Sequence, residues 1–200
     1  ALGCDIVSLH VPLTHDGPYP TWHMIDAGRL AAMPAGALLV NAARGDVVVG
    51  DDLLETLRTG RLHAALDCWP REPLLDPEIL RRTTVATPHI AGYSADGKRN
   101  GTRIVYEAYC RWAGVEPVDP APDARRLSLS IETSETALDE ALEAACFVAR
   151  HDAELRALAA SPREEIARGF DRLRKDYPYR RDFNGWDVEC PYAASAELLA

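Results

Sequence analysis

The stretch Ala37–Asp67, ALLVNAARGDVVVGDDLLETLRTGRLHAALD, decides how this chain folds. Ala37–Val40 is a short apolar run of strand character, and Asn41-Ala42-Ala43-Arg44-Gly45 turns away from it. Asp51 and Asp52 then cap a predicted helix over Leu53–Arg58, with Leu53, Leu54 and Leu57 inward and Gly60 as its stop signal. A second run, Leu62–Leu66, ends at Asp67. Strand, helix, strand, with apolar strands that do not alternate with polar residues, predicts a parallel sheet covered by helices on both faces.

The same alternation continues outward. Upstream, Asp5–Leu9 is an apolar run ending at His10-Val11-Pro12, Met24–Met33 has helical spacing, and Pro34-Ala35-Gly36 makes a turn. Downstream, Pro77–Arg81 reads as a short helical turn and Thr84–Thr87 as a strand before Pro88-His89. The expected class is α/β with an open parallel sheet, in which ligands bind beyond the carboxyl ends of the strands. His10, Asn41 with Arg44, Asp67 and His89 all fall at such ends.

Ser94–Trp112 reads as one long helix with Ile104, Val105, Ala108, Tyr109 and Trp112 on a buried stripe. Glu116–Ala124, EPVDPAPDA, is a linker by composition. Beyond it we expect a strand at Leu127–Ile131, a helix from about Glu135 to Arg150, a helix at Arg163–Lys175, a strand at Trp186–Cys190 and a terminal helix from Ala193. A small α+β unit of that size is marginal alone and more credible as a dimer.

Composition narrows the function. The 200 residues are 47% hydrophobic, enough for a sizeable core, and the net charge is −9. With no basic stripe threaded by aromatics, nucleic acid is not the expected partner. No apolar run approaches the roughly 20 residues of a membrane helix, and no leader peptide is visible, so a cytoplasmic protein is expected. The five cysteines are far apart, form no CxxC and are odd in number, which speaks against disulfides and against zinc. No metal site is expected. Beginning at Ala1, as if entering a strand, the chain reads as part of a longer one.

Three polar residues at strand ends carry the chemistry. The guanidinium of Arg44 pairs bidentately with a carboxylate. His89 has the side chain best suited to proton transfer near neutral pH. Glu72 offers a carboxylate that orients the imidazole and favours its charged form. Asp67 is a candidate acceptor for an amide or hydroxyl of a bound cofactor. Taken singly, each also has a plain reading as a surface or satisfied polar residue.

Together, Asp16–Asp26 (DGPYPTWHMID), Asn41–Val48 (NAARGDVV), Leu66–Pro73 (LDCWPREP) and Thr87–Thr102 (TPHIAGYSADGKRNGT) resemble the D-2-hydroxyacid dehydrogenase superfamily. Asp16–His23, His89–Tyr93 and the tail Phe170–Phe183 single out one member, which acts on a phosphorylated 2-hydroxy acid in pyridoxal phosphate biosynthesis. The resemblance implies a Rossmann-like doubly wound sheet and NAD as cofactor. By it, Arg44, Glu72 and His89 match catalytic positions, with Arg44 also holding substrate. Val11, Ala42, Ala43, Arg44, Asp67 and Gly92 match cofactor-binding positions, and Tyr93 a substrate-binding one. It implies four parts: residues 1–92 as the later part of an NAD-binding domain, residues 93–116 as the long helix leading back to a substrate lid, residues 117–124 as the linker, and residues 125–200 as a domain that makes a homodimer. Arg180 and Arg181 are candidates to clamp the substrate phosphate across such a dimer.

One departure stands against these matches. None of the thirteen glycines forms GxGxxG, and the acid that would follow it on the cofactor ribose is missing too. Both are expected upstream of Ala1, so these 200 residues by themselves are expected to be inactive. Other readings are a dehydrogenase for glycerate, 3-phosphoglycerate or lactate, and a non-catalytic NAD-sensing or corepressor module.

Overall fold

The computed structural model describes residues 2–118, 126–130 and 137–189. The last residues of two expected strands, Ile131 and Cys190, the expected helix from Ala193, the start of the helix near Glu135, and most of the 117–124 linker lie outside the described residues. Two compact units are present: residues 1–91 with 149–177, and residues 92–148 with 178–200.

In the first unit, β1 (Ile6–Leu9), β2 (Leu38–Asn41), β3 (His63–Leu66) and β4 (Val85–Ala86) form a parallel sheet in the order β1-β2-β3-β4. Helices α1 (Ala27–Ala32), α2 (Gly50–Arg58) and α3 (Pro77–Arg82) connect successive strands. The register runs Leu9 beside Asn41 and Asn41 beside Leu66, so the strands end together along one edge. This is the predicted α/β class.

Local details differ for physical reasons. Helix α1 is shorter than Met24–Met33, because Ile25 makes a bridge to Val48 and Asp26 takes the N-cap, accepting from the Arg29 N–H. Asp51 and Asp52 lie inside the first turn of α2 rather than before it, where negative charge faces the helix N-terminus. Gly60 ends that region at φ +66°, a left-handed conformation suited to glycine. Strand burial alternates: Leu39, Asn41, Ala64 and Leu66 are buried while their neighbours are half-buried or exposed, and Ile6 is 62% exposed. One face is therefore packed, and both faces are not covered equally among the described residues.

The packed face meets Leu30, Met33, Leu53, Leu57, Trp69, Leu75, Ile79 and Leu80. The same core cluster includes Leu155, Ala159, Ile166 and Phe170, from α6 (Val148–Arg156), the turn after it, and α7 (Arg163–Lys175). The compact units thus do not follow the boundary at residue 125: most of α6 and all of α7 fall in the unit that holds the parallel sheet. Nor is there one helix to Arg150. Phe147, at φ +54°, separates α5 (Ala137–Cys146) from α6.

The second unit holds α4 (Ala95–Ala113), capped by Ser94 and closed by Gly114 at φ +69°. It also holds α5 and the parallel pair β5 (Leu127–Ser130) and β6 (Trp186–Glu189). The stripe expected to be buried on α4 is exposed: Ile104 63%, Val105 70%, Tyr109 59% and Trp112 82%. Periodicity shows that a helix has an apolar face, not what covers it. No helix among the described residues is long and apolar enough to cross a membrane.

Candidate active site

Three loops leave the carboxyl ends of β2, β3 and β4, and buried side chains latch them together. Asn41, fully buried at the end of β2, donates through Nδ2 to the Arg44 carbonyl (3.0 Å) and the Cys68 carbonyl (3.2 Å). Its Oδ1 accepts from the Ala43 N–H at 3.1 Å. Gly45 lies so close to the next loop that a Cβ there would sit 1.8 Å from the Trp69 carbonyl oxygen.

The second latch is Asp67. Its Oδ1 accepts from the Thr87 hydroxyl (2.7 Å) and the Ile90 N–H (2.8 Å), and Oδ2 from the Ala91 N–H (3.1 Å). Trp69, also buried, adds a third by donating from Nε1 to the Thr87 carbonyl at 2.8 Å. Asp67 therefore spends most of its capacity on the chain itself, and Oδ2 keeps acceptor capacity for a ligand.

On this scaffold the Glu72 Oε1 faces His89 Nδ1 at 2.6 Å, and Glu72 Oε2 accepts from the Trp69 backbone N–H at 3.0 Å. Both side chains are about a quarter exposed, at 22% for His89 and 24% for Glu72. His89 holds φ +55°, an uncommon conformation for a side-chain-bearing residue, of the kind that persists where surroundings over-determine it. Burial would raise the Glu72 carboxyl. The hydrogen bonds from His89 and the Trp69 N–H, with positive charge on His89 and Arg174, outweigh it and leave the carboxyl below its ordinary value.

Arg44 is exposed, donating through Nη1 to the Ala43 carbonyl at 2.7 Å. Ala43 is buried, Ala42 half-buried, and Val11 packs partly on the core just past β1. Gly92 and Tyr93 belong to the other unit, where Gly92 is open and the Tyr93 ring lies under Lys98 Nζ at 4.5 Å. Cys68 is no nucleophile: burial and the negative charges of Asp67 and Glu72 push its thiol up to about 12. No group of three or more metal-ligating side chains occurs among the described residues.

Arg181, a candidate for the phosphate clamp, is engaged within its own chain. It is 7% exposed, and its Nε and Nη2 are bound to Asp96 at 2.8 and 2.9 Å. Arg180 is half-buried, with Nη1 3.8 Å from Cys146 Sγ. Sequence reasoning gave Trp69 no role and Asn41 none beyond its position. The signals were present: a polar residue closing an apolar strand, and a tryptophan opening a Pro-Arg-Glu-Pro loop.

Residues 2–91 match the family described as D-isomer specific 2-hydroxyacid dehydrogenase, NAD binding domain, and residues 119–200 match a domain of unknown function. The chain is 42% identical over 198 residues to the erythronate-4-phosphate dehydrogenase of Marinobacter nauticus, covering 94% of this chain and 51% of that protein. It is 41% identical over 202 residues to the protein of that name from Yersinia enterocolitica, covering 98% and 52%. It thus spans about half the length of the curated relatives it matches. Among solved structures, Rhodotorula graminis D-mandelate dehydrogenase aligns with 54% of this chain and 30% of its own at 33% identity, with a TM-score of 0.47. Residues 2–91 are thus similar to the NAD-binding domain of the D-isomer specific 2-hydroxyacid dehydrogenases, and the chain as a whole is similar to about half of the proteins named erythronate-4-phosphate dehydrogenase.

Proposed function

We propose that the full-length protein oxidises 4-phospho-D-erythronate at C2 to 3-hydroxy-2-oxo-4-phosphooxybutanoate, a step toward pyridoxal 5'-phosphate. The observation that carries this reading is the 2.6 Å pairing of His89 with Glu72 on the same sheet edge as exposed Arg44. The named relatives supply the substrate.

The residues present fit the nicotinamide end of NAD: an exposed cation, an acid/base pair and a carboxylate with a spare acceptor site stand at the strand ends. They do not include the glycine turn for its pyrophosphate, which is why this chain by itself would be inactive. NAD held there would supply the acceptor for the hydride leaving C2. His89 takes the hydroxyl proton through Nε2, its Nδ1 being turned to Glu72. Glu72, ionised, stabilises the imidazolium so formed. Arg44 holds the substrate carboxylate. Val11, the Ala42-Ala43-Arg44 backbone, Asp67 and Gly92 are assigned to the cofactor, and Tyr93 to the substrate. A cytoplasmic homodimer is part of the same reading.

The test is a substrate panel. Full-length protein with NAD should reduce it with 4-phosphoerythronate and far more slowly with glycerate, 3-phosphoglycerate or D-lactate. Preference for one of the latter would reassign the substrate. Cofactor binding without turnover of any of them would favour a sensing module.

A further inference from the structure

β4 is only two residues long and, among the described residues, pairs on one side, with β3. An edge strand leaves a row of backbone donors and acceptors unpaired on its other side. Here that row is taken up by two side chains of α6, more than sixty residues later in the chain. Asp152 Oδ1 accepts from the Ala86 N–H at 2.7 Å. Arg156 donates from Nη2 to the carbonyls of Thr83 (2.6 Å) and Thr84 (3.1 Å) and from Nη1 to that of Leu80 (3.0 Å). Its Nε is bound to Asp152 Oδ2 at 2.7 Å, so the two side chains form one unit that reads the free edge of β4 and the end of α3. Arg81 returns the contact, donating to the Ala159 carbonyl at 2.9 Å.

Ala86 lies three residues before His89. After it, Asp67 holds Thr87, Ile90 and Ala91. Before it, the side chains of Asp152 and Arg156 hold the backbone of Thr83, Thr84 and Ala86. The left-handed backbone of His89 stands between these two anchors, and such a conformation lasts only while its surroundings enforce it.

We propose that Asp152 and Arg156 are positioning residues for His89: by clamping the free edge of β4, α6 fixes the segment that presents the His89 ring to Glu72. This rests on the reading of His89 and Glu72 as the acid/base pair. It also gives a task to a segment that the family comparison assigns to a domain of unknown function. Arg156 suits the task because its planar guanidinium spreads five donors over three nitrogens in a fixed fork, whereas an ammonium offers three donors from a single point.

The test uses the full-length protein carrying Asp152→Ala, Arg156→Lys or Arg163→Ala. The last removes another contact of the same region, the 2.8 Å pair of Arg163 with Asp76, away from β4. The readouts are kcat, both KM values, the unfolding temperature and the proton resonance of His89 Nδ1–H, shifted downfield by its hydrogen bond to Glu72. Asp152→Ala should lower kcat about ten- to a hundredfold with KM values within about twofold, and should move or broaden that resonance. Arg156→Lys should do the same to a smaller degree. Arg163→Ala should lower the unfolding temperature and leave the resonance in place. An unmoved resonance and unchanged kcat in folded Arg156→Lys, or an equal disturbance in Arg163→Ala, would overturn the proposal, even if Asp152→Ala fails to fold. An active His89→Ala protein would instead overturn the underlying assignment of His89.

Discussion

Glu72 and His89 meet at 2.6 Å although they lie 17 residues apart on loops from different strands. The second carboxylate oxygen of Glu72 is tied to the Trp69 backbone, so the group is anchored at one end and offered at the other. In the full-length protein, His89→Ala should lower kcat about 10²–10⁴-fold with little loss of NAD affinity. Steady-state kinetics decide it: a variant within about threefold of wild type removes His89 from proton transfer.

The lowered Glu72 carboxyl carries a pH signature. A group whose folded pKa lies below its unfolded value of about 4.3 contributes stability that is fully present above that value and disappears as pH falls through the folded one. The unfolding free energies of wild type and Glu72→Gln should therefore differ most near neutrality and converge in acid. A gap that is constant with pH in denaturant titrations would contradict the ionised carboxylate.

Gly45→Ala should destabilise the protein by about 1–3 kcal/mol or more, because a methyl group there collides with the Trp69 carbonyl, which as backbone cannot move aside. Equilibrium unfolding of the two proteins measures it.

Asp67→Ala strands the donors of Thr87, Ile90 and Ala91 in a buried setting. The expected cost is about 2–5 kcal/mol. Chemical denaturation checks the stability, and the His89 Nδ1 proton signal shows whether the loop has loosened.

Alkylation of the native protein by iodoacetamide, mapped by mass spectrometry, should mark exposed Cys4 and spare buried Cys68, whose thiol is pushed up to about 12. Equal labelling of the two would show that the Asn41–Cys68 latch opens readily in solution.

Much of the fold was legible locally. Apolar runs ending at Leu9, Val40 and Leu66 and the stop at Gly60 act through neighbouring residues and so leave a readable pattern, whereas the caps at Asp26 and Asp76 came from the structure. Arg44, Glu72 and His89 were legible as candidates because each is a chemically capable side chain just past a strand. The exposed stripe of α4 and the break at Phe147 were misread, since periodicity does not report what packs against a helix or where a backbone turns left-handed.

The sequence by itself determined the alternation of strand and helix, the class of the sheet, and the three residues able to do acid/base and carboxylate chemistry, because these depend on side-chain type and local spacing. Only the tertiary structure decided that Asn41, Asp67 and Trp69 tie the loops together, that Arg181 is committed to Asp96, and that α6 closes the edge of β4. Those contacts join residues from three to 85 positions apart, and their formation depends on how the packed chain brings backbone donors and carbonyls into reach.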